Sequence, residues 1–152
     1  MIKYLVMDVD GTLTDGKIYM SNSGELMKAF NAKDGYGIRN IALSAGIIPV
    51  IITGRESDIV TNRAKELGVA LVYQGVSNKA EKLKSVTDEL DTVAFIGDDL
   101  NDMPCVELVK NGGGVIGCPA DAAKEIKAKA DFIAEHKGGE GAVRDFIEWI
   151  LG

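Results

Sequence analysis

Lys3-Tyr4-Leu5-Val6-Met7-Asp8-Val9-Asp10-Gly11-Thr12 decides the fold. An apolar run breaks into two carboxylates and a glycine, which sets the acids where a parallel strand ends. Asp8 and Asp10 stand two apart, on one face of an extended chain, and Gly11 lets the backbone turn there. Two anions held so close repel unless a cation lies between them, and hard carboxylate oxygens suit Mg²⁺. An aspartate so placed can accept a phosphoryl group as nucleophile while its neighbour handles the proton.

Three further polar anchors follow strand-like runs. Ile47-Ile48-Pro49-Val50-Ile51-Ile52 ends in Thr53-Gly54-Arg55, with Ser57 as N-cap and Val60, Ala64 and Leu67 as the apolar stripe of a helix. The Thr53 hydroxyl and the backbone N–H groups from Gly54 onward can hold phosphate oxygens at such a helix start. Ala70-Leu71-Val72-Tyr73 leads to Lys79, just before a helix striped by Leu83, Val86 and Leu90; a lysine there can neutralise nucleophile and phosphoryl group together. Thr92-Val93-Ala94-Phe95-Ile96 ends in Gly97-Asp98-Asp99-Leu100-Asn101-Asp102, a second acidic cluster suited to completing a Mg²⁺ site. Four chemical groups at four strand C-termini are the pattern of a doubly wound sheet with one active site.

Composition bounds the rest. The 152 residues are 46% apolar, enough for one core, and no linker, repeat or low-complexity block divides them. Residues 1–152 therefore read as a single α/β domain. With 17 Lys and Arg against 23 Asp and Glu, the net charge of −6 argues against a nucleic-acid partner. Asp8 interrupts the first apolar stretch before it reaches the length of a signal core, and no later segment approaches the roughly 20 apolar residues of a membrane span. A cytoplasmic protein with no membrane partner is expected, with Cys105 and Cys118 as free thiols. His136, the only histidine, has no nucleophile-elbow sequence to accompany it and reads as a surface residue. Val143, Phe146, Ile147 and Ile150 repeat at helical spacing, a terminal helix packed on the sheet, with Trp149 packed or partly exposed.

The four motifs, in this order, resemble the haloacid dehalogenase superfamily of phosphohydrolases. The resemblance covers essentially the whole chain and implies a Rossmann-like parallel sheet with helices on both faces. It implies that Asp8 is the nucleophile and Asp10 the general acid/base. Thr53, Gly54 and Lys79 then bind phosphate, while Asp8, the Asp10 backbone carbonyl and Asp98 hold Mg²⁺. Asp99, Asn101 and Asp102 support those ligands from behind. Two stretches, Lys28-Ala29-Phe30-Asn31-Ala32-Lys33-Asp34-Gly35-Tyr36-Gly37-Ile38-Arg39 and Gly138-Gly139-Glu140-Gly141-Ala142-Val143-Arg144, are similar to the branch that dephosphorylates 3-deoxy-octulosonate 8-phosphate and nonulosonate 9-phosphates. Arg55 after Thr53-Gly54 favours the octulosonate side. Because such a substrate carries a carboxylate and hydroxyls, Arg39, Arg55 and Arg63 are candidate anion clamps. Asn31, Lys33, Asp34 and Gly35 are candidate substrate contacts.

Residues 11–52 leave room for a hairpin and a helix from roughly Gly37 to Ala45, but for no cap domain. The hairpin, Lys17–Met20 and Glu25–Phe30 around Ser21-Asn22-Ser23-Gly24, is then the element available to close the site. A two-stranded ribbon is marginal alone, and the branch resembled typically forms homotetramers. Two rivals remain. A receiver-type phosphoacceptor domain places its acceptor Asp after a middle strand, before Thr and Lys, whereas here Thr53 and Lys79 precede the second acidic cluster. A non-catalytic oligomerisation module of a sugar-nucleotide synthetase can lose motif residues, whereas this chain keeps all of them.

Overall fold

The computed structural model describes residues 1–152. Its strands are β1 (Tyr4–Met7), β2 (Tyr19–Ser21), β3 (Gly24–Met27), β4 (Ile48–Ile52), β5 (Leu71–Tyr73), β6 (Val93–Ile96), β7 (Val115–Cys118) and β8 (Phe132–Ile133). Its helices are α1 (Ala32–Tyr36), α2 (Asp58–Leu67), α3 (Lys79–Val86), α4 (Met103–Asn111), α5 (Lys124–Lys129) and α6 (Ala142–Leu151). Six strands form one sheet in the order β5-β4-β1-β6-β7-β8, every pairing parallel, and β2 and β3 form a separate antiparallel ribbon. There is no separate cap domain.

The apolar runs of the central strands are continuous because both faces of the sheet are covered. Leu5 and Met7 enter one core with Ile38, Val60, Ala64 and Phe146; Val6 enters the other with Leu83, Val106, Val109 and Ile126. The period of two repeats in β4, where Val50 and Ile52 lie opposite to Ile51, and in β6, where Val93 and Phe95 lie opposite to Ala94 and Ile96. The chain winds outward from β1 to β4 and β5, then returns across β1 to β6 and winds the other way. The reversal falls between β1 and β6, and ligands of open α/β sheets bind at the strand C-termini there.

Three boundaries differ from the sequence expectation. The helix expected from Gly37 begins at Ala32, because the Asn31 side chain accepts a hydrogen bond from Lys33 N–H at 2.8 Å and caps it. It then widens to a π-helical stretch over Gly37–Ala42 and tightens over Leu43–Ala45. The helix after Lys79 stops at Val86, and Leu90 lies in a separate 3-10 turn. The hairpin strands are shorter than Lys17–Met20 and Glu25–Phe30 and lie closer to the turn, with an irregular register between Tyr19 and Met20 inside the ladder. Strands β7 and β8 and helix α5 are elements the sequence reading did not delineate, although Gly112-Gly113-Gly114 before Val115-Ile116 is a turn-then-strand signal.

Candidate active site

Asp8 follows β1 directly, and its N–H still donates to the Ile96 carbonyl at 3.2 Å, so its position is set by the sheet. The chain then turns sharply: the N–H groups of Thr12, Leu13 and Thr14 all approach the Val9 carbonyl, at 3.1, 2.9 and 3.1 Å. Gly11 makes the turn with φ +88°, and a Cβ there would overlap the Asp98 carboxylate. Glycine is thus required twice over, by backbone and by space.

Lys79 is the first residue of α3, whose cap is Asn78 accepting from Glu81 N–H at 3.0 Å. That cap aims the buried ammonium between two carboxylates, donating to Asp8 Oδ1 at 2.9 Å and to Asp102 Oδ1 at 2.8 Å. Asp102 is fully buried, and its Oδ2 accepts from the N–H groups of Asp98 and Asp99 at 3.0 and 3.3 Å. It therefore shapes the loop that carries Asp98. Thr12 Oγ1 donates to Asp98 Oδ1 at 3.4 Å, tying that loop back to the first motif.

The electrostatics follow from crowding. Burial pushes the Asp8 carboxyl up to about 6, the Asp102 charge adds to this, and Lys79 opposes it. Burial also pushes Asp98 up to about 8, helped by its hydrogen bond to Asp8 and by the charges of Asp8, Asp102 and Asp99. For Lys79 burial disfavours the charge, but Asp8 and Asp102 outweigh it and raise the pKa, so the ammonium persists. Oxygens of Asp8, Asp98 and Asp102 lie within 4.8 Å of one another. Three carboxylates against one ammonium leave negative charge to be met, which fits a hard divalent cation on Asp8 and Asp98. The Asp102 oxygens are already committed to Lys79 and to the N–H groups of Asp98 and Asp99.

A cleft of about 430 Å³ opens above these groups, lined by Asp8, Asp10, Thr53, Gly54, Arg55, Asp98, Asp99 and Asn101. Thr53 is held by backbone bonds to Tyr73 and Val76, and Arg55 is half exposed. The remaining candidates do not line this cleft. Asn31 is spent on the α1 cap. Asp34 is buried, with Oδ1 accepting from Arg144 N–H at 2.9 Å, so it caps the start of α6. Gly35 is buried against Arg63, with a Cβ there falling 2.6 Å from the guanidinium. Lys33 is exposed in the first turn of α1. Arg63 lies over the Phe30 ring at 5.4 Å, and Arg39 donates to the Glu66 carbonyl. Lys33, Asp34 and Gly35 belong to α1, Arg39 to the stretch that follows it and Arg63 to α2.

Three residues packed against the site were not among the sequence candidates. Lys28 donates to Asp10 Oδ1 at 2.6 Å and to Glu25 Oε2 at 2.9 Å. Its signal was its place at the head of one of the two stretches that carry the family resemblance. Gly138 and Gly139, in the other stretch, pack against the backbone of Gly11, Thr14 and Asp15, and Gly139 N–H donates to the Thr12 carbonyl at 3.2 Å. His136 is exposed and pairs with Asp145 at 2.8 Å, outside the cleft.

No protein-family model matches the chain. Among curated proteins it is 44% identical over 154 residues to 3-deoxy-D-manno-octulosonate 8-phosphate phosphatase KdsC of Salmonella typhi, covering 99% of this chain and 79% of that one. Among solved structures, the 3-deoxy-D-manno-octulosonate 8-phosphate phosphatase of Moraxella catarrhalis in complex with magnesium ion, phosphate ion and KDO is 40% identical with a TM-score of 0.90, over 99% of this chain and 86% of that one. The cobalt-bound phosphatase of Haemophilus influenzae is 33% identical with a TM-score of 0.89, over 99% and 87%. Identity at this level along nearly the whole chain, on the same fold, makes this chain a member of the 3-deoxy-D-manno-octulosonate 8-phosphate phosphatase family of haloacid dehalogenase-type hydrolases.

Proposed function

We propose that residues 1–152 form one phosphatase domain that hydrolyses 3-deoxy-D-manno-octulosonate 8-phosphate through an aspartyl-phosphate on Asp8. The observation that carries the reading is Asp8 itself, held at the sheet's switch point by Lys79 and sharing one cleft with Asp10, Thr53 and Asp98. The relatives' activity and the ions bound in the Moraxella structure support the substrate and Mg²⁺ as cofactor.

In the first half-reaction an Asp8 oxygen bonds to phosphorus while the ester P–O bond breaks, and Asp10 gives its proton to the departing sugar oxygen. In the second, Asp10 takes a proton from water as that water's oxygen attacks phosphorus, releasing phosphate and the free Asp8 carboxylate. Lys79 holds Asp8 Oδ1 and offsets charge on the nucleophile. Thr53 and the Gly54 backbone receive the phosphoryl oxygens, and Arg55 an anionic group of the substrate. Mg²⁺, held by Asp8, Asp98 and the Asp10 carbonyl, supplies Lewis-acid stabilisation of the transferring group.

The hairpin exposes Ile18, Met20, Leu26 and Met27, which supports burial between subunits of a homotetramer. Both cysteines are buried free thiols, which suits action in the cytoplasm. No helix is long and apolar enough to cross a membrane. The acidic balance supports a small-molecule partner and no nucleic acid.

Phosphate release from ulosonate 8- and 9-phosphates, with Mg²⁺ and with chelator, tests the reading. The 8-phosphate is expected to show the highest kcat/KM, chelation to stop turnover, and added Mg²⁺ to restore it. Asp8→Asn is expected to abolish both turnover and covalent trapping. Preference for a 9-phosphate overturns the substrate, and turnover within a few-fold of wild type in Asp8→Asn overturns the nucleophile.

A further inference from the structure

Lys28 is half-buried as a residue, but its side chain is only 2% exposed, at the junction between the hairpin and the catalytic cleft. Burying an ammonium is costly unless its partners are good, and Lys28 has two from separate parts of the fold. Asp10 belongs to the loop after β1, and Glu25 to β3. The Lys28–Asp10 distance of 2.6 Å is short even for a charge-assisted bond. Arg55, from the loop after β4, comes within 4.0 Å of the same Glu25 oxygen. One chain of charges therefore joins hairpin, acid/base and substrate-facing arginine.

We infer that Lys28 is a positioning residue: it holds one Asp10 oxygen so that the other meets the leaving oxygen, and it makes that placement depend on the seating of the hairpin. The inference rests on the assignment of Asp10 as acid/base. Proton transfer requires an approach of about 2.6–3.2 Å between donor and leaving oxygen. An aspartate beside a glycine turn has rotamers to spare, and a second bond to a buried cation removes them. No mobile cap is present to bring the acid to its substrate, so the seat is built into the hairpin base.

The test separates proton donation from binding. A series of aryl and alkyl phosphates without carboxylates spans good and poor leaving groups, and kcat/KM reports the steps through phosphoryl transfer to Asp8. Aryl esters whose phenolate departs unaided need no proton; alkyl esters do. In the full chain with saturating Mg²⁺, Lys28→Met is expected to lose about 10- to 100-fold on alkyl phosphates, the worth of a charge-assisted hydrogen bond, and to change little on p-nitrophenyl phosphate. Lys28→Arg is expected to restore most of the loss, and Asp10→Asn to show the same split more strongly. Equal losses on both classes in Lys28→Met, with Asp10→Asn still split, overturn the inference and leave the acid/base standing. No split in Asp10→Asn removes the acid/base assignment and the inference with it. If Lys28→Met fails to fold, Glu25→Gln, which loosens the lysine's other anchor, is expected to give the same split at smaller amplitude. Equal losses there likewise overturn it.

Discussion

Arg55 and Asp34 were both candidates for touching substrate, and the fold sends them opposite ways. Arg55 lines the cleft, half exposed, beside Thr53 and Gly54. Arg55→Ala is expected to raise KM for the octulosonate 8-phosphate by about 10- to 100-fold, the loss of a charge-assisted contact, and to spare p-nitrophenyl phosphate. Equal losses on both substrates, measured by phosphate release, place it in the machinery instead. Asp34 is buried under α6. Burial pushes its carboxyl up to about 6, against the lowering effect of backbone N–H groups from α6. The folded state then binds a proton that the unfolded state releases, so stability falls as pH rises from about 4 through about 6 and stays lower above. Asp34→Asn keeps the capping oxygen and loses the charge. Denaturant titrations across that window are expected to show a flatter pH dependence than wild type, by about 2 to 3 kcal/mol. Parallel curves remove Asp34 as the source.

At the scale of elements, the glycine stretch 138–139 and the acidic loop behave as one piece. A Cβ on Gly138 would overlap the Gly11 carbonyl oxygen, which is backbone and has no rotamer by which to retreat. Asp121 Oδ1 also accepts Gly138 N–H at 3.0 Å, so the segment is held from its other side. Gly138→Ala is expected to push the Gly11–Thr14 turn out of place and to lower kcat at least 10-fold, with a destabilisation of about 1–3 kcal/mol typical of overpacking. Wild-type kcat and melting temperature together show the contact to be slack. The same stretch explains a feature of the sequence that the acidic motifs alone do not: four residues far along the chain, Gly138-Gly139-Glu140-Gly141, belong to the floor of the first motif and to the start of α6.

At the scale of the molecule, the cleft is open and the ribbon beside it carries exposed Met20 and Leu26, 60% and 62% accessible. Phosphoryl transfer gains from exclusion of bulk water, and in the proposed homotetramer a second subunit's ribbon would supply it. Light scattering at micromolar concentration is expected to give four times the 16.2 kDa chain mass. Shortening the hairpin between Ile18 and Phe30 is expected to yield smaller species that lose turnover of the sugar phosphate. A fully active wild-type monomer refutes both the tetramer and the shared closure.

The acidic strand end, the parallel sheet, its helical stripes and the placing of Asp8, Thr53, Lys79 and Asp98 at strand ends around one cleft were legible in the chain because each is a local pattern. An apolar run, a turn glycine and a polar residue at the run's end lie within a dozen positions of one another. The destinations of Asn31, Asp34, Arg39, Arg63 and Lys28 were not legible. Asn31 carries a capping signal, yet its alternative as a substrate contact has the same residue type. Asp34 meets α6 across 110 positions, and Lys28 meets Asp10 across 18. Whether a charged side chain reaches a ligand, a helix end or an opposite charge depends on what packs beside it, and only the tertiary structure brings those partners together.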